Sequence, residues 1–149
     1  MPIDVLWVEE EPQSLRYERR LAELQGWRIP SADTVSGAME LINGTRFDLV
    51  VADLILPEDD FDKERGVVTP NVGIQLIKWV RETTRQGKTP PDVPLLVITA
   101  VISPEQRFRV VDIVGSDRYY LNKPLSEDDC LRTFSELTEA LKPSMRNQS

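Results

Sequence analysis

Histidine is missing from this chain of 149 residues, and that absence excludes more chemistry than any other count. Ser-His-Asp and Cys-His catalysis, a histidine zinc ligand and a phosphohistidine carried on this chain are all ruled out. Whatever chemistry the chain does must rest on carboxylates, lysine and hydroxyls, with or without a hard metal ion. Cysteine occurs once, at Cys130, so no internal disulfide can form, and the residue reads as a small apolar side chain on a helix. Long apolar runs are also lacking. No window approaches the ~20 residues that span a bilayer, and MPIDVLWVEE has neither the basic nor the apolar region of a secretory signal. The expected location is cytoplasmic, away from membranes. Positive charge is in short supply, with 18 Lys and Arg against 25 Asp and Glu and a net charge of -7. Duplex nucleic acid demands a basic face that displaces counterions. A protein partner or a bound cation suits this charge better than direct contact with nucleic acid.

What is present alternates between strand and helix signals, with no internal repeat. The first strand is IDVLWV, Ile3 to Val8, followed at once by Glu9, Glu10 and Glu11. Pro12 suits the first turn of a helix, where its missing N–H costs nothing and acids favour the positive end of the dipole. That helix is expected to turn Leu21 and Leu24 inward and to stop near Gly26. WRIP is a short second strand. Val35, Ala38, Met39 and Ile42 fall at i, i+3, i+4 and i+7, an amphipathic stripe that Asn43-Gly44 ends. FDLVVAD is a third, buried strand. After an irregular stretch, Gly73, Leu76, Ile77 and Val80 share one helix face. PLLVITA, Pro94 to Ala100, is the fourth strand. Ser103-Pro104-Glu105-Gln106 has the form of a capping box opening a helix to Gly115. RYYLN is the fifth strand, and Ser126 caps a last helix whose Cys130, Phe134, Leu137 and Leu141 face inward.

Five strands, each followed by a helix, imply an α/β fold: a parallel sheet with helices on both faces and right-handed crossovers. Ligands of such folds bind beyond the carboxyl ends of the strands. The residues there are Glu9 and Glu10 after the first strand, Asp53 after the third, Thr99 closing the fourth, and Lys123 after the fifth. Neighbouring strands lie about 4.8 Å apart, so acids at adjacent strand ends converge within reach of one ion. Carboxylates gathered in that way raise one another's pKa unless a cation intervenes. A hard divalent ion and the arm of Lys123 are the natural compensation, and magnesium accepts one or two carboxylates with phosphate oxygens and waters beside them.

From about Ile3 to Leu141 the chain resembles the receiver domains of bacterial two-component response regulators, the CheY-like family. The resemblance is carried by Glu9 and Glu10 in VLWVEEEP, Asp53 in DLVVADLILP, Thr99 in LLVITA, and Tyr120 and Lys123 in YYLNKP, in the family's order and each at a strand end. It implies the strand order 2-1-3-4-5 of the flavodoxin-like fold. It further implies that Asp53 accepts a phosphoryl group from a histidine kinase or phosphotransfer protein. Mg²⁺ would then be held by Glu9, Glu10, Asp53 and the backbone carbonyl of Ile55. Lys123 would pair with a phosphoryl oxygen. Thr99 and Tyr120 would act as the switch pair, altering the face of the fourth helix, fifth strand and fifth helix that meets a downstream protein. A homodimer is also compatible with the resemblance. The resemblance also suggests a cis peptide at Lys123-Pro124.

The implied role is that of a phosphoacceptor signalling domain whose only chemistry is its own phosphorylation and dephosphorylation. On the sequence it is expected to stand alone, residues 1–142 forming the receiver and 143–149 a C-terminal tail. Two features depart from the family. Both acids after the first strand are glutamates, whose extra methylene shifts any metal position. The segment EDDFDKERGVVTPNV, residues 58–72, is an insertion between the third strand and third helix, with five acids and two bases. These departures leave open an alternative, an atypical receiver that serves as a phosphorylation-independent protein-binding module. A dehalogenase-like phosphatase needs a second Asp two positions after the nucleophile, where this chain has Ile55.

Overall fold

Continuous apolar strands need a covered sheet, and that requirement orders the chain. The computed structural model describes residues 3–9, 15–54, 72–82, 84–100, 103–115 and 119–146, and of Val72 and residues 142–146 the backbone alone. Glu10, Pro12, Ile55 and residues 58–71 of the insertion lie outside the described residues. The elements are β1 (Ile3–Val8), α1 (Arg16–Leu24), β2 (Trp27–Arg28), β3 (Ser31–Ala32), α2 (Val35–Gly44), β4 (Leu49–Ala52), α3 (Val72–Val80), β5 (Leu95–Thr99), α4 (Pro104–Val114), β6 (Tyr120–Asn122) and α5 (Glu127–Arg146). The last helix therefore continues past residue 142.

The strands pair in parallel in the order β2-β1-β4-β5-β6, with β3 also on β1. The second strand expected from WRIP is thus two short pieces. Ile3 faces Trp27 and Trp7 faces Ser31, so both pieces keep one register on β1. The break falls at Ile29-Pro30, because Pro30 has no N–H to give to the ladder. With the two pieces taken as one strand, the order is the expected 2-1-3-4-5.

Side chains alternate across the strands, which builds two apolar layers. Leu6, Val8, Val50, Ala52 and Val97 pack under α2, α3 and α4 through Val35, Ala38, Ile42, Leu76, Ile77, Val80 and Val110. Val5, Trp7, Leu49, Val51, Leu96 and Ile98 pack against α1 and α5 through Leu21, Ala22, Cys130, Phe134 and Leu137. The helices cap as their sequences require. Ser103 Oγ accepts from the Gln106 N–H at 3.2 Å while the Gln106 side chain accepts from the Ser103 N–H at 3.3 Å. Gly26 and Gly115 each take φ +93° just past a helix, a left-handed conformation that glycine adopts without strain,. One inward assignment is overturned: Leu24 is 70% exposed. It is the last residue of α1, one turn past Leu21 and beyond Ala22, the buried residues of that helix.

Trp27 is buried against Phe134. Its indole N–H donates to Thr138 Oγ1 at 2.8 Å, and the Thr138 hydroxyl donates to the Phe134 carbonyl at 2.7 Å. This chain of hydrogen bonds ties β2 to α5 within the core. Thr138→Val preserves shape but leaves the indole N–H without an acceptor, so it should lower stability by about 1–3 kcal/mol. Urea unfolding should show a lower midpoint at unchanged slope; an unchanged midpoint would mean the bond contributes nothing.

Candidate functional site

Backbone pairing sets the site before any side chain enters it. The Glu9 N–H donates to the Ala32 carbonyl at 3.0 Å and the Asp53 N–H to the Val8 carbonyl at 2.9 Å. The Lys123 N–H donates to the Thr99 carbonyl at 2.7 Å. Each donor is one step beyond its strand, so the ladder itself delivers Glu9, Asp53, Thr99 and Lys123 to one end of the sheet. Gly73 closes the floor, its N–H donating to the Leu54 carbonyl at 2.8 Å. The Lys123-Pro124 peptide is cis, as expected.

Lys123 Nζ donates to Asp53 Oδ2 and to Glu9 Oε1, both at 2.7 Å. Glu9 is 3% exposed and Asp53 5%, so bulk water screens these charges little and the ammonium is what compensates them. Two buried oxygens, Glu9 Oε2 and Thr99 Oγ1, have no hydrogen-bond partner among the described residues. Tyr120 of β6 is buried, and the Arg107 guanidinium of α4 stands 5.2 Å from its ring centre.

Burial pushes the Glu9 carboxyl up to about 7; Lys123 opposes that rise, and the nearby Asp53 adds to it. For Lys123, burial works against the charge, but the hydrogen bonds and charges of Asp53 and Glu9 outweigh it and the net direction is up. A carboxyl raised on folding binds its proton more tightly in the native state than in the unfolded chain. The stability it contributes is complete below its ordinary 4.5 and is lost as pH rises to about 7,. In metal-free buffer the urea midpoint of the native chain should therefore fall across that window. Glu9→Gln cannot ionise and should flatten the fall. Parallel pH profiles for the two proteins would show that Glu9 is not its source.

The residues fit a hard cation. Glu9 and Asp53 supply carboxylate oxygens at one point, and the buried Glu9 Oε2 is a donor in want of a charge,. Among the described residues no group of three metal-ligating side chains forms, and two of the four expected ligands, Glu10 and the Ile55 carbonyl, lie outside them. From the sequence, the arm of Lys123 is expected to compensate the acids gathered at this edge, but which of them it reaches is set by the fold: Glu9 Oε1 and Asp53 Oδ2. Gly73 is expected only as one residue of a helix face, whereas a Cβ there would stand 2.4 Å from both the Asp53 carbonyl oxygen and Leu54 Cα.

The family model for the response regulator receiver domain matches residues 5–135. Response regulator MprA of Mycobacterium sp. (strain KMS) is 27% identical over 143 residues, 96% of this chain and 54% of that protein. The probable transcriptional regulatory protein TcrX of Mycobacterium tuberculosis is 27% identical over 128 residues, 86% of this chain and 46% of that protein. The chain thus spans about half the length of the curated relatives it matches. The crystal structure of a CheY-like response regulator receiver domain protein from Methanospirillum hungatei JF-1 superposes with a TM-score of 0.72 at 19% identity, covering 97% of this chain and 99% of that one. That likeness concerns the fold.

Proposed function

Because this chain belongs to the response regulator receiver domain family, we propose that it accepts a phosphoryl group on Asp53 and signals through altered protein contacts. The observation that carries the reading is the meeting of three groups at one end of the sheet. A buried carboxylate, Asp53, has an ammonium at 2.7 Å, and a buried hydroxyl, Thr99 Oγ1, has no hydrogen-bond partner among the described residues. In the reaction a carboxylate oxygen of Asp53 attacks phosphorus. The new O–P bond forms as the bond to the donor breaks, and its electron pair leaves on the imidazole nitrogen of a partner's phosphohistidine or on the carboxylate oxygen of an acyl phosphate. Lys123 follows the charge onto a phosphoryl oxygen, and the Thr99 hydroxyl donates to another. Glu9, Glu10, Asp53 and the Ile55 carbonyl would hold a Mg²⁺ ion, which when bound would neutralise charge on the transferring phosphoryl group.

The change at Thr99 would pass to Tyr120 on the neighbouring strand, where β5 and β6 pair in parallel, and from Tyr120 to Arg107 on α4, whose guanidinium stands 5.2 Å from the ring centre. The face of α4, β6 and α5 is therefore the one that changes and meets the downstream protein. The partners are a histidine kinase or phosphotransfer protein upstream and a protein target downstream. No helix of the described residues is long and apolar enough to cross a membrane.

Incubation with acetyl phosphate and Mg²⁺ should add one phosphoryl mass to the intact chain, located on the peptide holding Asp53 and suppressed by chelation. An unchanged mass would overturn the reading and favour a protein-binding module that works without phosphate.

A further inference from the structure

The ammonium of Lys123 lies between two carboxylates, at 2.7 Å from Glu9 Oε1 and 2.7 Å from Asp53 Oδ2. Both acids are buried, so their charge is met by Lys123 rather than by bulk water,. A divalent ion drawn to the same two carboxylates would stand close to that ammonium, and like charges in a poorly screened pocket repel strongly. We propose that Glu9 holds Lys123 as an internal counter-ion which must be displaced before a divalent cation binds, so that the Lys123–Glu9 contact keeps the site's metal affinity low. The inference rests on the phosphoacceptor reading for the identity of the ion.

Three observations carry it. One oxygen of Glu9 is committed to Lys123 while the other is buried with no hydrogen-bond partner among the described residues, so the contact with the lysine engages only one side of the carboxylate. The Glu9 N–H is fixed to the Ala32 carbonyl at 3.0 Å, which leaves the side chain, not the backbone, to set its reach. Aspartate at this position is shorter by one carbon–carbon bond, about 1.5 Å. From the same backbone position it would fall short of Nζ while leaving a carboxylate at the strand end. Lys123 would then belong to Asp53 alone, and the freed acid would meet a divalent ion without first surrendering a partner.

The experiment is calorimetric titration of Mg²⁺ into the full chain at pH 8 and low ionic strength, for the native protein, Glu9→Asp, Lys123→Met and the double variant. Each single variant should bind Mg²⁺ more tightly than the native chain, Glu9→Asp by about tenfold, and the double variant should gain nothing over Lys123→Met. Circular dichroism of all four checks that they are folded. Equal or weaker binding by Glu9→Asp overturns the proposal. So does a Glu9→Asp gain that persists in full in the Lys123→Met background, since it would not act through the lysine. An absence of binding heat in every chain also overturns it. Acetyl phosphate labelling of Asp53 is a separate readout. A labelled native chain with no gain in Glu9→Asp defeats this inference alone, whereas the expected titrations with no labelling defeat the phosphoacceptor reading alone.

Discussion

Asp53→Asn is expected to reduce phosphoryl incorporation from acetyl phosphate by more than about a hundredfold, because an amide oxygen is no nucleophile at this centre. The loss should be chemical and not structural. Lys123 Nζ contacts two carboxylates in the native protein, at 2.7 Å each, so removal of one charge leaves the ammonium paired with Glu9. No buried cation is stranded, and the like charge facing Glu9 disappears. The urea midpoint of the variant should therefore correspond to a change of no more than about 1 kcal/mol. Intact mass and urea unfolding on the same preparation check both halves. Native-level labelling of a folded Asn variant would remove Asp53 from its role.

Among the glycines of the described residues, Gly73→Ala is expected to cause a large loss of stability, since the added Cβ meets backbone there. An added Cβ would meet the Asp53 carbonyl oxygen at 2.4 Å, Leu54 Cα at 2.4 Å and the Leu54 carbonyl carbon at 2.8 Å. Ordinary contact between such atoms lies near 3.5–4.0 Å, and all three are backbone atoms, which cannot rotate away. Helix α3 must lift by about 1 Å, which strains the Gly73 N–H to Leu54 carbonyl bond and unseats Leu76, Ile77 and Val80 from the core. Overpacking of this kind costs about 3 kcal/mol, and the better helix propensity of alanine returns at most about 1 kcal/mol. The contact is with the main chain of Asp53 itself, so phosphoryl acceptance should fall as well. A urea midpoint equal to or above the native value would show that α3 accommodates the methyl group and that the close approach is unimportant.

Much of the fold was legible because it rests on local rules. Strand β1 occupies Ile3–Val8 as its apolar run required. The capping box at Ser103, the left-handed glycines at 26 and 115, and the inward stripe of Cys130, Phe134 and Leu137 all follow from preferences that act within a few residues,. Strand ends were legible too, and with them the row of Glu9, Asp53, Thr99 and Lys123, since a parallel sheet gathers at one edge whatever terminates its strands. Periodicity alone could not say where a stripe stops. Leu24 fits the apolar spacing of α1 yet is exposed, because it is the helix's last residue and the interface ends before it.

Other features were decided only by the folded chain. Lys123 and Glu9 are 114 residues apart and Trp27 and Thr138 are 111 apart. No local preference couples such pairs. They meet because sheet register and helix packing bring their backbones within a side chain's length, and there the length of the side chain decides the contact. The same is true of Gly73. Its sequence neighbourhood asks only for a helix, while the closeness of α3 to the backbone of Asp53 and Leu54 leaves no volume for a Cβ. Sequence determined which chemical groups stand at the carboxyl edge of the sheet, since strand length and polarity are local. Tertiary structure decided which carboxylates share the lysine and how closely a helix approaches the acceptor, since those depend on distances that only packing of the whole chain sets.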